Sequence, residues 1–185
     1  MSLSSSEIQK AIEIVASGVR NYLKSAHGIV SVAQPATNGK ADALALNDVT
    51  AIIVLGGAIT NLVTVSFDRT LLTHLLKLET QGLVVPENEQ ELYLRETAAE
   101  IANVILGHCL AYLEDLVACD AGGGRISMLP PVVIEHVGSM HQAQGAAYTS
   151  VVLPTDFGSL VVSIIWPYEL FEKISKESKV RGKST

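Results

Sequence analysis

The sequence predicts an α/β (α+β) fold in which helices cover a mostly antiparallel sheet. Three observations predict it. Two strand-length runs rich in Val, Ile and Thr, 49–55 and 59–67, are separated by Gly56 and Gly57, which is a hairpin pattern. Apolar residues recur every three or four positions from about Glu89 to Leu116, the spacing of one long helix. Beyond Gly124 the chain turns into strand-like text at 125–129, 132–137, 146–153 and 159–166, punctuated by Pro130-Pro131, 138–145 and 154–158.

The remaining elements follow from the same periodicities. Ile8, Ala11, Ile12, Val15, Val19, Tyr22 and Leu23 mark an amphipathic helix over 4–24, with Ser5 or Ser6 as N-cap. The β-branched run 29–32 reads as a short strand, and 34–47, with Pro35, Asn38, Gly39 and Lys40, as loop or edge strand. Asp68 stands as the cap of a helix over 69–79 carrying Leu71, Leu72, Leu75, Leu76 and Leu78, and 82–86 ends it. Residues 119–124 form a glycine-rich break, 168–174 a short helix, and Lys176, Lys179, Arg181 and Lys183 belong to a basic, fraying tail.

Composition bounds the function. At ~150 residues per domain, 185 residues suit a single domain, with a core over about 5–175 and the tail at 176–185. With 48% apolar residues the chain builds a core without staples, and a net charge of −6 disfavours nucleic-acid partners. The apolar runs 51–59 and 160–166 are short of the ~18 residues of a membrane span. The start MSLSSSEIQK lacks a charged region followed by an apolar run, and only Cys109 and Cys119 are present, so a cytoplasmic location is expected. The mean hydropathy of +0.34 points to deep burial or a subunit interface.

The long helix carries the chemistry. Projection at ~100° per residue gathers Leu94, Ala98, Ile101, Ile105, Cys109, Tyr112 and Leu116 on one buried stripe, and Glu96, Glu100, Asn103 and Gly107 on the opposite face. A mid-helix glycine costs ~1 kcal/mol against alanine, and Gly107 points away from the core, so close approach by another molecule is a reason for it. Glu100 and Asn103, neighbours at i and i+3, thus present a carboxylate and an amide on a rigid rail. The bland alternative is an ordinary solvated helix face.

Residues 100–107, EIANVILG, match E-x-x-N-x-x-x-G, and with them the chain resembles the CheC/CheX family of chemotaxis phosphatases. The run TAIIVLGGAITNLVTVSF resembles that family's hairpin, DRTLLTHLLK its short helix, and ISMLPPVVIEH its strand with a proline, here Pro130 or Pro131. The resemblance spans about residues 8–166. It implies hydrolysis of the aspartyl phosphate of a CheY-like response regulator, with Asn103 orienting water and Glu100 meeting the regulator's active-site lysine. Glu96 and Gly107 would border the partner. No cofactor of its own is implied, the Mg²⁺ coming with the regulator. The Glu/Asn pair occurs once, as in CheX, whose relatives act as homodimers. Glu96 stands where the family often has aspartate or serine, and the proline lies farther downstream, behind Gly122-Gly123-Gly124. The alternative is a non-catalytic receiver-binding module related to the flagellar-switch proteins.

Other motifs read as structural. Gly122-Gly123-Gly124-Arg125 lacks the Lys-Ser/Thr of a phosphate loop and precedes a strand. Glu135, His136 and His141 lack metal-ligand spacing and read as loop residues. Cys109 reads as a small core residue, His108 as a helix flank, and Trp166 as core or dimer packing.

Overall fold

The computed structural model describes residues 5–121, 125–135 and 146–167. Helix α1 (Ser5–His27) is followed by β1 (Thr37–Lys40), a 3-10 turn (Ala41–Ala43), β2 (Val49–Gly57), β3 (Asn61–Phe67) and α2 (Arg69–Glu79). A second 3-10 turn (Glu87–Glu89) leads into α3 (Gln90–Ala121), and β4 (Ile126–Met128), β5 (Val132–Glu135), β6 (Ala146–Thr155) and β7 (Gly158–Pro167) complete the chain order. The strands form one sheet in the order β1-β6-β7-β3-β2-β4, with β5 also on β2, and every pair is antiparallel. This is the α+β architecture with a mostly antiparallel sheet that the sequence predicts.

Strand alternation divides the sheet into two faces. One face presents Ala51, Ile53, Val63, Val65, Phe67, Leu160, Val162 and Ile164 to the helices, where all are buried with Ile12, Val15, Leu72, Ile101 and Ile105. Each such side chain contributes ~1.5–3 kcal/mol on leaving water, so this layer dominates stability. On the other face the segment after β1 crosses back over the sheet. Ala41, Leu44 and Leu46 pack with Ile165, and the Asn47 backbone N–H donates to Ser66 Oγ (2.7 Å), which is 2.7 Å from Thr50 Oγ1.

Helix α1 lies across α3. Gly18 makes that crossing close: a Cβ at this position would run into Cys109 Sγ. Gly18→Val is expected to cost about 1–3 kcal/mol by overpacking, seen as a lower urea midpoint with an unchanged m-value.

The structure corrects several expectations. Residues 29–32 form no strand. Ile29 is buried, but Val30 and Val32 are 70% and 72% exposed, because this stretch leaves α1 and runs outside the sheet as far as Gln34, whose N–H donates to Val152 O (2.9 Å). The expected hairpin forms, but its connection is longer than Gly56-Gly57: the last β2–β3 pair is Leu55–Asn61, and the two glycines extend β2 by pairing with Ser127 and Ile126 of β4. Gly57, at φ +93°, sits where the Arg125 carbonyl approaches, and Ala58 N–H donates to that oxygen (3.1 Å). Asp68 holds the N-cap position of α2 without a side-chain capping bond. Its Oδ2 accepts from Ser159 N–H (2.5 Å) and Ser159 Oγ–H (2.8 Å), while Asp48 Oδ2 accepts the Arg69 N–H (2.9 Å). Helix α3 runs to Ala121, beyond the expected Leu116. Its buried residues are Leu94, Ala98, Ile101, Ala102, Ile105, Leu106, Cys109, Leu113 and Val117, so Tyr112, 65% exposed, and the half-buried Leu116 leave the stripe. The line through Leu94, Ala98, Ala102, Leu106, Cys109, Leu113 and Val117 advances near every fourth residue, more than the ~3.6 of a turn, so the buried line winds around the helix as it passes from α2 to α1. Gly122 to Gly124, His136, His141, the expected helix 168–174 and the basic tail lie outside the described residues.

Candidate functional site

The site face of α3 exists because its opposite side is spent on the core. With Leu94, Ala98, Ile101 and Ile105 turned inward, Glu96 and Glu100 are exposed and Asn103 half-buried. These three, with Ala99, form one wall of a groove of ≈ 450 Å³. Gly107 does not line that groove. It is exposed one turn farther along, with nothing within 4 Å of the position its Cβ would take.

The facing wall is Met128, Leu129, Pro130 and Pro131. It stands out from the sheet because the strand is bulged. Leu55 pairs with Met128 and Ile52 with Val132, so Leu129, Pro130 and Pro131 oppose only Ile53 and Val54. Proline has no N–H for the ladder and is confined to edges and bulges. Leu129 N–H still reaches Val54 O (3.0 Å), which pins the near end of the bulge. A bulge re-aims side chains and bends its strand, and here it raises an apolar lip opposite Asn103. Leu129 and Val132 are 54% and 63% exposed.

Among the described residues neither Glu96 nor Glu100 has a hydrogen bond or ion pair with the rest of the chain. Nor has the Asn103 carboxamide. An amide that both donates and accepts without ionising therefore sits beside a carboxylate, half-covered and uncommitted, in a groove open to a second molecule.

A cluster that sequence spacing could not reveal adjoins this face. Tyr22 O–H donates to Glu79 Oε1 (2.8 Å), and His27 Nε2 lies 3.2 Å from the same oxygen and 3.4 Å from the Tyr22 hydroxyl. Burial, then the Glu79 hydrogen bond, then the charges of Glu79 and Glu100 push the Tyr22 hydroxyl well above its usual range. Tyr22 and Glu79 are 57 residues apart on different helices, a separation that no local periodicity reports.

The other candidates fall where packing puts them. Burial pushes the Cys109 thiol up to about 11, so at neutral pH it is a protonated core residue against α1. His108 is exposed, Trp166 is buried beside its strand partner Ala147, and Glu135 is half-buried. Among the described residues no group of three or more His, Cys, Asp or Glu could hold a metal ion, and no helix is long and apolar enough to cross a membrane.

No protein-family model matches the sequence, and no curated protein matches it. Solved structures do. The chain superposes on the chemotaxis protein CheX of Desulfovibrio desulfuricans with TM-score 0.68, covering 84% of this chain and 97% of that one at 16% identity. The fold is of the CheX type. The CheX-type fold also matches a chain of the CheX–CheY–BeF3–Mg²⁺ complex from Borrelia burgdorferi, with TM-score 0.65 over 84% of this chain and 96% of that one at 15% identity. Thermotoga maritima FliY matches over 95% of this chain and 97% of its own, with TM-score 0.62 and 16% identity. In this CheX-type fold the E-x-x-N residues fall on the helix face left free of the sheet, and the proline of the resemblance is the bulged lip that faces them.

Proposed function

We propose that the protein hydrolyses the aspartyl phosphate of a CheY-like response regulator. What carries this reading is that Glu100 and Asn103, on the face of α3 that the core leaves free, line one open groove. An acyl phosphate is already activated, and the regulator supplies Mg²⁺ and a lysine for the phosphoryl oxygens. What it lacks is an oriented water. Phosphoryl transfer is largely positioning and electrostatics, and holding the nucleophile in line removes orientational entropy from the barrier. The Asn103 carboxamide accepts one water proton in a hydrogen bond and turns the oxygen lone pair toward phosphorus. The bond from phosphorus to the aspartyl oxygen breaks, the regulator's carboxylate leaves, and the water oxygen ends in inorganic phosphate with its protons. No general base is required.

Glu100 docks. Its exposed carboxylate meets the regulator's lysine, which sets the register of Asn103 and speeds encounter more than it adds affinity. Glu100→Ala is expected to raise the half-saturation concentration severalfold, and Glu100→Lys to raise it further by placing like charges together. Steady-state phosphate release against regulator concentration measures both, and unaltered kinetics in both variants removes Glu100 from the mechanism.

A second reading has the same helix face bind a receiver without turnover, as the resemblance to the flagellar-switch proteins allows. Sub-stoichiometric protein mixed with phosphorylated regulator separates the two. Multiple turnovers support the phosphatase; binding with the regulator's own decay rate unchanged supports the binding module.

A further inference from the structure

A second groove opens on the other side of Glu96 and Glu100 from Asn103. Its volume is ≈ 230 Å³, and it lies between α2 and α3, walled by Leu76 and Tyr93 with Glu79, Glu96, Thr97 and Glu100 along it. From Thr80, at its edge, the chain continues into Leu83 and Val84, which are 77% and 94% exposed. Exposed aliphatic side chains of this size in sequence are what a protein interface covers. The Glu96–Glu100 ridge is shared with the Asn103 groove, so the two grooves form one continuous surface, with the exposed Leu129 along its far rim and, past Thr80 on the near rim, the exposed Leu83 and Val84 next in the chain.

We propose that this α2–α3 groove is the second half of the docking footprint and takes a lysine or arginine side chain of the same regulator whose phosphorylated pocket meets Asn103. The inference rests on the proposed function. Charge decides the occupant. Three carboxylates line a groove whose other walls are Leu76, Ile101, the Tyr93 ring and two threonines, Thr80 and Thr97, which suits a cation on an alkyl stem: the stem packs on Leu76 and Tyr93 while the head reaches the carboxylates. Glu79 is set for this. Tyr22 and His27 both engage its Oε1, which fixes the carboxylate while its second oxygen has no bond within the described residues. Among the described residues Glu96 and Glu100 have no cation to displace. A second contact about one groove away from the catalytic amide fixes the orientation of the partner, which one lysine on Glu100 cannot do alone.

The test uses the full chain and the receiver domains of the same organism, each loaded with BeF3 and Mg²⁺, titrated by fluorescence anisotropy. Thr97→Arg fills the groove with the chain's own cation, and Val84→Asp charges the rim. Neither residue touches the Asn103 groove. Both variants are expected to bind the receiver at least tenfold more weakly, to lose much of the salt dependence of wild-type binding in Thr97→Arg, and to keep the turnover number at saturation. Wild-type binding with affinity unchanged within twofold in both variants overturns the groove inference and leaves the proposed function standing. Absence of binding and turnover with every receiver overturns both. Tighter wild-type binding after Lys176, Lys179, Arg181 and Lys183 are neutralised, with no such gain in Thr97→Arg, assigns the groove to the chain's own basic tail and also overturns the proposal.

Discussion

Asn103→Ala is expected to lower the turnover number on phosphorylated regulator by at least about 10²-fold, with half-saturation held within about twofold. The asymmetry follows from placement. Asn103 is half-buried beside the exposed carboxylates to which the proposed mechanism gives the docking, so removing its amide leaves the shape and charge that the partner would meet. Only the water loses its orientation. A hundredfold loss corresponds to about 2.7 kcal/mol of transition-state stabilisation, the scale of one well-placed hydrogen bond to a reacting atom. Asn103→Asp is expected to be no better, because a carboxylate accepts from water but repels the phosphoryl oxygens. Phosphate release under excess regulator, beside a binding titration, measures the two quantities separately. Equal losses in affinity and turnover would make Asn103 a docking residue and end the mechanism.

Gly57→Ala is expected to cost about 2–4 kcal/mol of folding stability, large for a domain whose total is ~5–15 kcal/mol. Two effects combine. A positive φ in a residue with a Cβ costs ~1–2 kcal/mol, and Gly57 holds φ +93°. The added carbon also meets the Arg125 carbonyl, a backbone atom that cannot rotate aside. Gly28 supplies the control, because it holds φ +69° with nothing within 4 Å. Gly28→Ala is therefore expected to lose only the conformational part, about 1–2 kcal/mol. Arg125 leads into β4 and β4 into the bulged lip, so Gly57→Ala also shifts the wall facing Asn103 and weakens receiver binding, whereas Gly28→Ala does not. Urea unfolding of both variants tests the first claim and receiver titration the second. Equal stability losses would mean that β4 yields freely and that the lip is not anchored through Gly57.

Where periodicity is local and strong, the fold was legible. The 69–79 helix and the strands near 49–57, 61–67, 146–155 and 158–167 follow from apolar spacing and β-branched content alone. The failures share a cause. The run 29–32 has strand residues but no neighbouring strand to bond, and a strand is a partnership rather than a propensity. The Gly56-Gly57 pair matches a turn, but the glycines are needed for the approach of β4, a segment some 70 residues later in the chain. Asp68 matches a cap, yet its carboxylate meets Ser159 across the sheet while Asp48 caps α2. Tyr112 fits the early stripe of α3, but the helix changes neighbours along its length and the buried line moves with them.

The α+β class, the order of the main elements and the free face of α3 that carries Glu96, Glu100 and Asn103 are readable from residue order alone, because they depend on spacing within one continuous segment. What stands opposite that face is set by the packing of distant segments. The bulge over Leu129, Pro130 and Pro131 arises from pairing against β2, and the Tyr22–His27–Glu79 cluster from the meeting of α1 with α2. Contacts between residues far apart in the chain depend on how whole layers pack, and no local pattern encodes that.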